Sequence, residues 1–328
     1  MNSTSPCDDG IRSAPNPRCI ACGREGVELY RDLSDDLFGA PGQWRLARCP
    51  DSQCGLLWLD PKPLQADLIK AYTVYHTHGR GRSRSASELG LSTLNSACRL
   101  ASRVLDLGST LGTQRRHLRK MFLGQAAPGK LLEVGSGSGR FLNRMRATGW
   151  QVQGTDFDPA AAARVKARYG LTVDVGELGD LGYADASFDA IAMSQVIEHV
   201  YDPHALLAEA FRLLRPGGRL VLSTPNASGL AHRSFGRHWR GLEPPRHLHL
   251  FTRASLQRCV RRAGFEQLRC FTLSAEAAGI YRASELLKSA GARPALGVLR
   301  SWVSRHREFR ASLCDPGAGQ DLFLVATK

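Results

Sequence analysis

Residues 130–142, KLLEVGSGSGRFL, decide how this 328-residue chain is read. KLLEV (130–134) is a short apolar run that ends directly in Gly135-Ser136-Gly137-Ser138-Gly139. Phe141, Leu142 and Met145 follow at helical spacing, and Gly149 stops them. A strand, a glycine turn and a helix are therefore expected in succession. Glycines at alternate positions let the backbone turn sharply and approach a ligand where a Cβ would clash. The helix starting near Arg140 would aim free N–H groups and partial positive charge at the same place, which suits a carboxylate.

Outward from this stretch the alternation continues. WQVQGTD (150–156) alternates as a strand, Asp158-Pro159 gives an N-cap and a first-turn proline, and Gly170 closes that helix. LTVDV (171–175) and FDAIAMS (188–194) are the next strands. Asp202-Pro203 repeats the cap, and Leu206, Leu207, Ala210, Leu213 and Leu214 form an apolar helix face ended by Pro216-Gly217-Gly218. GRLVLSTP (218–225) is a fifth strand, Thr252 caps a helix ending at Gly264, and FEQLRCFTL (265–273) and DLFLVAT (321–327) supply two more. The order predicts an α/β fold: a doubly wound, Rossmann-like seven-stranded sheet, mainly parallel, with helices on both faces. RVLDLGSTLG (103–112) mimics the glycine loop, but no acid-terminated strand follows about 20 residues later.

Asp156 stands at the end of the second strand, 21 residues after Gly135. A carboxylate there can accept hydrogen bonds from both hydroxyls of a ribose, so an adenosine-like nucleotide is expected. The dinucleotide pattern G-x-G-x-x-G would need glycine at position 140, where Arg140 stands. Glycines at 135, 137 and 139 fit a ligand without a pyrophosphate better, and S-adenosylmethionine is such a ligand.

LLEVGSGSGRFL, GTDFDP, SFDAIAMSQVIEHVYDP, LLRPGGRLVLSTPN and WRGLEPPRHLHLFT follow one another in the chain. In that order they resemble the class I S-adenosylmethionine-dependent methyltransferases. The closest resemblance is to the group holding the ubiquinone-biosynthesis O-methyltransferases and small-molecule enzymes with N-terminal zinc-ribbon-like modules. The resemblance implies that Glu133 and the loop residues Gly135, Ser136, Gly137 and Gly139 hold the methionine part of the cofactor. It also implies that Asp156 binds ribose, Phe157 packs on adenine, Glu177 and Leu178 lie near the adenine edge, and Gln195 faces the cofactor.

Methyl transfer from a sulfonium is an in-line displacement in which positioning does most of the work, and a hydroxyl acceptor also needs a base. In this fold the acceptor would sit above the carboxyl ends of strands four and five. Glu198-His199 follows strand four, and Glu243, Arg246, His247 and His249 follow strand five. His199 is the first choice for general base and His247 the second, because imidazole titrates near neutral pH. Glu198 is a third catalytic candidate, and with His199 it could instead bind a divalent cation. His249 is expected to pack beneath Phe251. Segment 226–250, which also holds His232, Trp239 and Arg240, is long and aromatic and reads as a substrate lid.

Four of the nine cysteines cluster as Cys19-x2-Cys22 and Cys49-x4-Cys54, and the rest are scattered. Four thiolates bind zinc tetrahedrally and can fold a module too small for its own core, so a structural Zn2+ is expected there. The organisation expected is a disordered tail (1–17), a zinc-ribbon-like module (18–60), a helical linker region (61–125) and a methyltransferase domain (126–328). That domain would carry the lid 226–250 and a helical insertion 275–320. In the insertion Leu296, Leu299, Trp302, Val303 and Phe309 fall near one helical face, with Arg300, Arg305, Arg307 and Arg310 largely away from it. The expectation is that this face packs on its own domain; peripheral contact with an anionic membrane is the alternative.

Net charge is +14, spread along the chain, and hydrophobic content is 43%. No apolar run approaches the ~20 residues of a membrane span, and the N-terminus lacks the apolar core of a secretory signal, so a cytoplasmic location is expected. The acceptor is expected to be a small molecule such as a quinol, phenol, sugar or lipid-linked intermediate, not nucleic acid. An RNA- or protein-binding or modifying protein with a zinc module is the alternative. Oligomeric state is left open.

Overall fold

The computed structural model describes residues 10–72, 110–289 and 297–328. The basic stretch 78–87 and most of the look-alike 103–112 lie outside the described residues. Seven strands form the main sheet: β6 (Lys130–Val134), β7 (Gln151–Asp156), β8 (Val173–Val175), β9 (Phe188–Ser194), β10 (Leu214–Pro225), β12 (Glu266–Leu273) and β13 (Asp321–Thr327). Their order is β12-β13-β10-β9-β6-β7-β8. β8, β7, β6, β9 and β10 run parallel, while β13 is antiparallel to both of its neighbours. This is the expected Rossmann-like sheet. β6 lies between β7 and β9, so the connections leave it in opposite directions and open a crevice at its carboxyl end.

The helices form where the capping residues stand. Asp158 accepts from Ala160 N–H at 2.8 Å and starts α3 (Pro159–Tyr169), which Gly170 ends at φ 64°. Asp202 accepts from the N–H groups of His204 and Ala205 and starts α4 (Pro203–Leu213), which buries Leu206, Leu207, Ala210 and Leu213. Thr252 and Ser255 form a reciprocal capping box at α6 (Arg253–Arg262). Before these come α1 (Thr110–Arg119) and α2 (Arg140–Arg146), and α5 (Leu230–Phe235) precedes α6. The apolar face of α4 does not wait for Pro216 to end it: the helix stops at Leu213, and β10 begins at once at Leu214.

The N-terminal region is not a separate bead. β2 (Val27–Leu33), β3 (Trp44–Arg48) and β4 (Leu57–Leu59) form a small antiparallel sheet, and its fourth strand is β11 (His249–Leu250), from the far side of the chain. Trp58 is fully buried in the core shared with α4 and α6, and its indole N–H donates to Asn16 O at 2.7 Å. The expected tail needs correction over its described part. β1 (Ser13–Ala14) pairs with β5 (Lys62–Pro63), so residues 10–17 are held; residues 1–9 lie outside the described residues.

Two further expectations change. Gly241–Leu250 is buried throughout, so the segment expected as a lid is a fixed wall at its carboxyl end. The reason is pairing: β11 joins β4, and Leu248 and His249 both donate their N–H groups to Glu198 O. The insertion is helical, with α7 (Ala277–Lys288) packed on α8 (Gly297–Cys314). However, α8 buries Ser301, Arg305 and Glu308 and leaves Val303 half exposed, so its inward stripe is polar and Arg305 does not point away. No helix among the described residues is long and apolar enough to cross a membrane.

Candidate active site

The glycine loop leaves β6 with Gly135, Gly137 and Gly139 all at positive φ. A Cβ on Gly135 would lie 2.6 Å from Val196, and one on Gly139 would lie 2.7 Å from Val165, so both glycines are required by close packing. Over Gly137 nothing lies within 4 Å, which leaves open space of the kind a ligand fills. Ser136 turns its hydroxyl inward, to the carbonyls of Thr155 and Glu133. Gly137 N–H donates to Asp156 Oδ2 at 2.8 Å, and Asp158 N–H donates to Oδ1 at 3.0 Å. The loop and the acid read from sequence therefore meet, and the backbone fixes the carboxylate beside the open space. Glu133 is buried, and its Oε2 has no partner in the structure. Burial raises its carboxyl well above the usual range. An ammonium group, such as that of a methionine moiety, would satisfy it.

The other residues that the resemblance assigns to the cofactor follow the carboxyl ends of β7, β8 and β9. Phe157 follows Asp156 and is 54% exposed, a ring available for stacking. Leu178 is buried, while Glu177 Oε1 accepts from Gln65 Nε2 at 3.0 Å. Gln195 leaves β9 at φ 55° and places Nε2 3.5 Å from Asp321 Oδ1, at the start of β13. Asp321 is pushed up to about 8 by burial, with the charges of Glu308 and Glu276 adding to it.

His199 and His247 meet with ring centroids 4.6 Å apart. Beside them stands Glu243, held at φ 36°. Its Oε2 lies 3.5 Å from His247 Nε2, and its other oxygen accepts from Arg246 Nε at 3.0 Å. Arg240 also pairs with it. Arg246 is fully buried, reaches Asp35 at 2.9 Å, and lies over the Phe38 ring. Burial alone would raise Glu243; His247 and His199 when protonated, and the guanidiniums of Arg240 and Arg246 at any pH, instead hold it down at about 2. Burial pushes His247 down to about 3 and also lowers His199, against the pull of Glu243 on both. Both rings are therefore neutral at neutral pH.

His199 Nδ1 lies 3.1 Å from Arg246 O. A carbonyl only accepts, so Nδ1 carries the hydrogen and Nε2 keeps its lone pair. His247 Nδ1 is likewise 2.7 Å from Gly241 O. Glu198 is fully buried: Oε2 accepts from Thr224 Oγ1 at 2.9 Å, Oε1 has no partner, and burial pushes the carboxyl up to about 8. Ligand atoms of Glu198, His199 and His247 lie within 4.8 Å of one another, close enough to hold a cation together. His249 is separate. It is fully buried, its ring stands 6.4 Å from Phe251, and its strand pairs with Trp58.

The four clustered thiols also converge. Cys19 and Cys54 sulfurs are 3.6 Å apart, Cys22 and Cys49 sulfurs are 3.3 Å apart, and all four lie within 4.8 Å. A tetrahedron with 2.3 Å Zn–S bonds has edges of about 3.8 Å, so this donor set fits zinc despite the wide second pair.

A family profile described as a methyltransferase domain matches residues 88–269, more than half of the chain. The chain belongs to this family. It is 43% identical over 98 residues to a probable S-adenosylmethionine-dependent methyltransferase of Mycolicibacterium smegmatis, covering 29% of this chain and 38% of that one. It is 34% identical over 154 residues to the demethylmenaquinone methyltransferase of Deinococcus radiodurans, covering 44% and 63%. It is also 34% identical over 148 residues to a ubiquinone biosynthesis O-methyltransferase of Cereibacter sphaeroides, covering 42% and 60%. In each case the chain spans less than two thirds of the relative. Among solved structures, a SAM-dependent methyltransferase of Archaeoglobus fulgidus matches 74% of this chain and all of its own, at 16% identity and a TM-score of 0.46.

The methyltransferase-domain match begins at residue 88, so the cysteines and the residues up to Tyr72 lie ahead of it. Tyr72 nevertheless reaches the site, with its hydroxyl 3.2 Å from His199 Nδ1. Neither Tyr72 nor Asp35 nor Asp321 is marked by any motif, and only the tertiary fold brings them in.

Proposed function

We propose that the chain transfers a methyl group from S-adenosylmethionine to an oxygen of a small-molecule acceptor, with His199 as the general base. The observation that carries this is the 3.1 Å contact of His199 Nδ1 with Arg246 O, which assigns the ring hydrogen to Nδ1. With the hydrogen there, Nε2 is the basic nitrogen of a residue that follows the carboxyl end of β9. Glu133, the loop 135–139 and Asp156 would hold the cofactor, Phe157 and Leu178 its adenine, and Gln195 would face it. When bound, S-adenosylmethionine supplies a methyl group on a positively charged sulfur. His199 Nε2 takes the acceptor hydroxyl proton as the oxygen becomes the nucleophile. Glu243, ionised close by, steadies the positive charge that His199 gains. Glu198 has a carboxylate oxygen within 4.8 Å of a ring nitrogen of each histidine.

A quinol, phenol, sugar or lipid-linked hydroxyl fits this chemistry. Relatives named for quinone methylation favour the aromatic acceptors. A second reading has a specific observation behind it: Glu198, His199 and His247 could hold a divalent cation that lowers the acceptor pKa. In the N-terminal sheet the four thiolates would hold structural zinc, with no ligand position left for chemistry.

The deciding experiment incubates the purified chain with methyl-labelled S-adenosylmethionine and fractionated cell extract. Label in small molecules supports the proposal, and label confined to RNA or protein refutes it. Repeating the assay after dialysis against a chelator, with Mg2+ or Zn2+ added back, separates the two base arrangements. Activity restored by Mg2+ alone favours the metal reading, whereas Zn2+ would also refill the four-thiol site.

A further inference from the structure

One short segment ahead of the methyltransferase-domain match touches both the adenosine side of the site and the candidate base. The 3-10 helix Gln65–Tyr72 is tied at its base by Asp67, whose carboxylate accepts from Arg12 Nε at 2.7 Å, and by Lys70 Nζ, which donates to Gly10 O at 2.9 Å. At its start, Gln65 Nε2 donates to Glu177 Oε1 at 3.0 Å. At its end, Ala71 O accepts from buried Arg246 Nη1 at 2.9 Å. Tyr72 then sets its ring edge-on to Phe157, with centroids 5.3 Å apart at 62°, and its hydroxyl on His199 Nδ1.

Resting on the proposed reading of the cofactor site, we infer that Gln65–Tyr72 roofs the adenosine pocket and that Tyr72 is a positioning residue joining cofactor binding to the base. The argument is geometric. Phe157 is the exposed ring offered to adenine, and an edge-on aromatic neighbour restricts the rotamers it can take. The same tyrosine oxygen lies beside the one imidazole nitrogen that must carry hydrogen for Nε2 to act as base. As acceptor it can share the Nδ1–H that Arg246 O already receives. Arg246 contributes both its guanidinium, to Ala71 O, and its carbonyl, to His199. A shift of the segment therefore reaches the base by two routes. Gln65 extends the roof to the adenine-edge residue Glu177. Each contact of the segment has its other partner in the matched domain, so this N-terminal addition completes a pocket that the domain begins.

The test uses the full chain and two readouts that need no acceptor. Calorimetry with S-adenosylhomocysteine measures the pocket, and 15N-detected NMR of the histidine rings measures the His199 tautomer. Tyr72→Ala is expected to weaken S-adenosylhomocysteine binding about fivefold to tenfold, the worth of one aromatic edge contact, and to move the His199 ring signals. Tyr72→Phe keeps the ring and loses the hydroxyl, so binding should stay within about twofold while the His199 signals still move. Gln65→Ala should weaken binding without moving them. Ile69→Ala, on the exposed side of the same helix, should do neither.

If the unaltered chain binds S-adenosylhomocysteine and Tyr72→Ala binds it equally well, the roof is refuted. If Tyr72→Phe leaves the His199 signals unmoved, the positioning role is refuted. If the unaltered chain does not bind at all, the reading of the cofactor site fails instead, and the ring signals still decide the contact with His199.

Discussion

The proposed base, His199, is set by what lies behind it. Arg246 O fixes its hydrogen on Nδ1, and burial keeps the ring neutral near neutral pH. His199→Ala should lower kcat by ~10²–10⁴, the usual span for loss of a general base, while S-adenosylhomocysteine affinity stays within about twofold. A variant with unchanged turnover would move the role to His247. Asp156→Ala should do the opposite: two backbone N–H groups lose their carboxylate, and the ribose diol loses its acceptor. A fall of about 10–100-fold in S-adenosylhomocysteine affinity is expected by calorimetry, from charge-assisted hydrogen bonds of ~1.5–3 kcal/mol. At this scale the sequence is legible where function is local. Gly135, Gly137 and Asp156 are recognisable because strand, turn and helix are contiguous. Tyr72 is not, because nothing in its neighbours says that it will meet Phe157 and His199 across the fold.

Helix α8 shows how a correct element can carry the wrong face. The spacing of Trp302, Val303 and Phe309 suggests an apolar stripe, yet Ser301, Arg305 and Glu308 are the residues buried. Tertiary partners decide the matter: Glu308 Oε1 accepts from Gln320 N–H at 2.8 Å, just ahead of β13. Burial pushes the Glu308 carboxyl up to about 7. A carboxyl raised in the folded state favours folding below its unfolded value near 4.5, and that advantage is lost as pH climbs toward 7. Glu308→Gln keeps the accepting oxygen and does not titrate. Relative to the parent, it should gain stability between pH 4.5 and 7, by at most ~3 kcal/mol, and level off above. Denaturant midpoints at pH 5 and pH 8 check this; an equal difference at both would show that Glu308 stays ionised in the fold. The strands and caps, by contrast, were readable in advance, since Asp158-Pro159, Asp202-Pro203 and Thr252 act within their own turn.

For the molecule as a whole, the four thiols and the candidate base belong to one structure. Thr252 donates its hydroxyl to Cys54 O, and β4 and β11 lie between the cysteines and His247. Cys54→Ser should therefore remove one zinc per chain by elemental analysis and lower Tm and turnover together. His199→Ala should leave zinc content and Tm unchanged. A Cys54→Ser chain that keeps full turnover would separate the module from the site. The domain boundary at 60 is the least legible feature, because cysteine spacing points to a candidate metal site but not to the distant strand that completes the neighbouring sheet.

That borrowed strand also imposes an order of assembly. The ribosome makes β2, β3 and β4 early, but β4 remains an open edge until His249 and Leu250 emerge nearly two hundred residues later. An unpaired edge next to Leu56, Leu57 and Trp58 invites pairing with other chains. The nascent protein thus passes through a sticky interval that ends only when its C-terminal half arrives to close it.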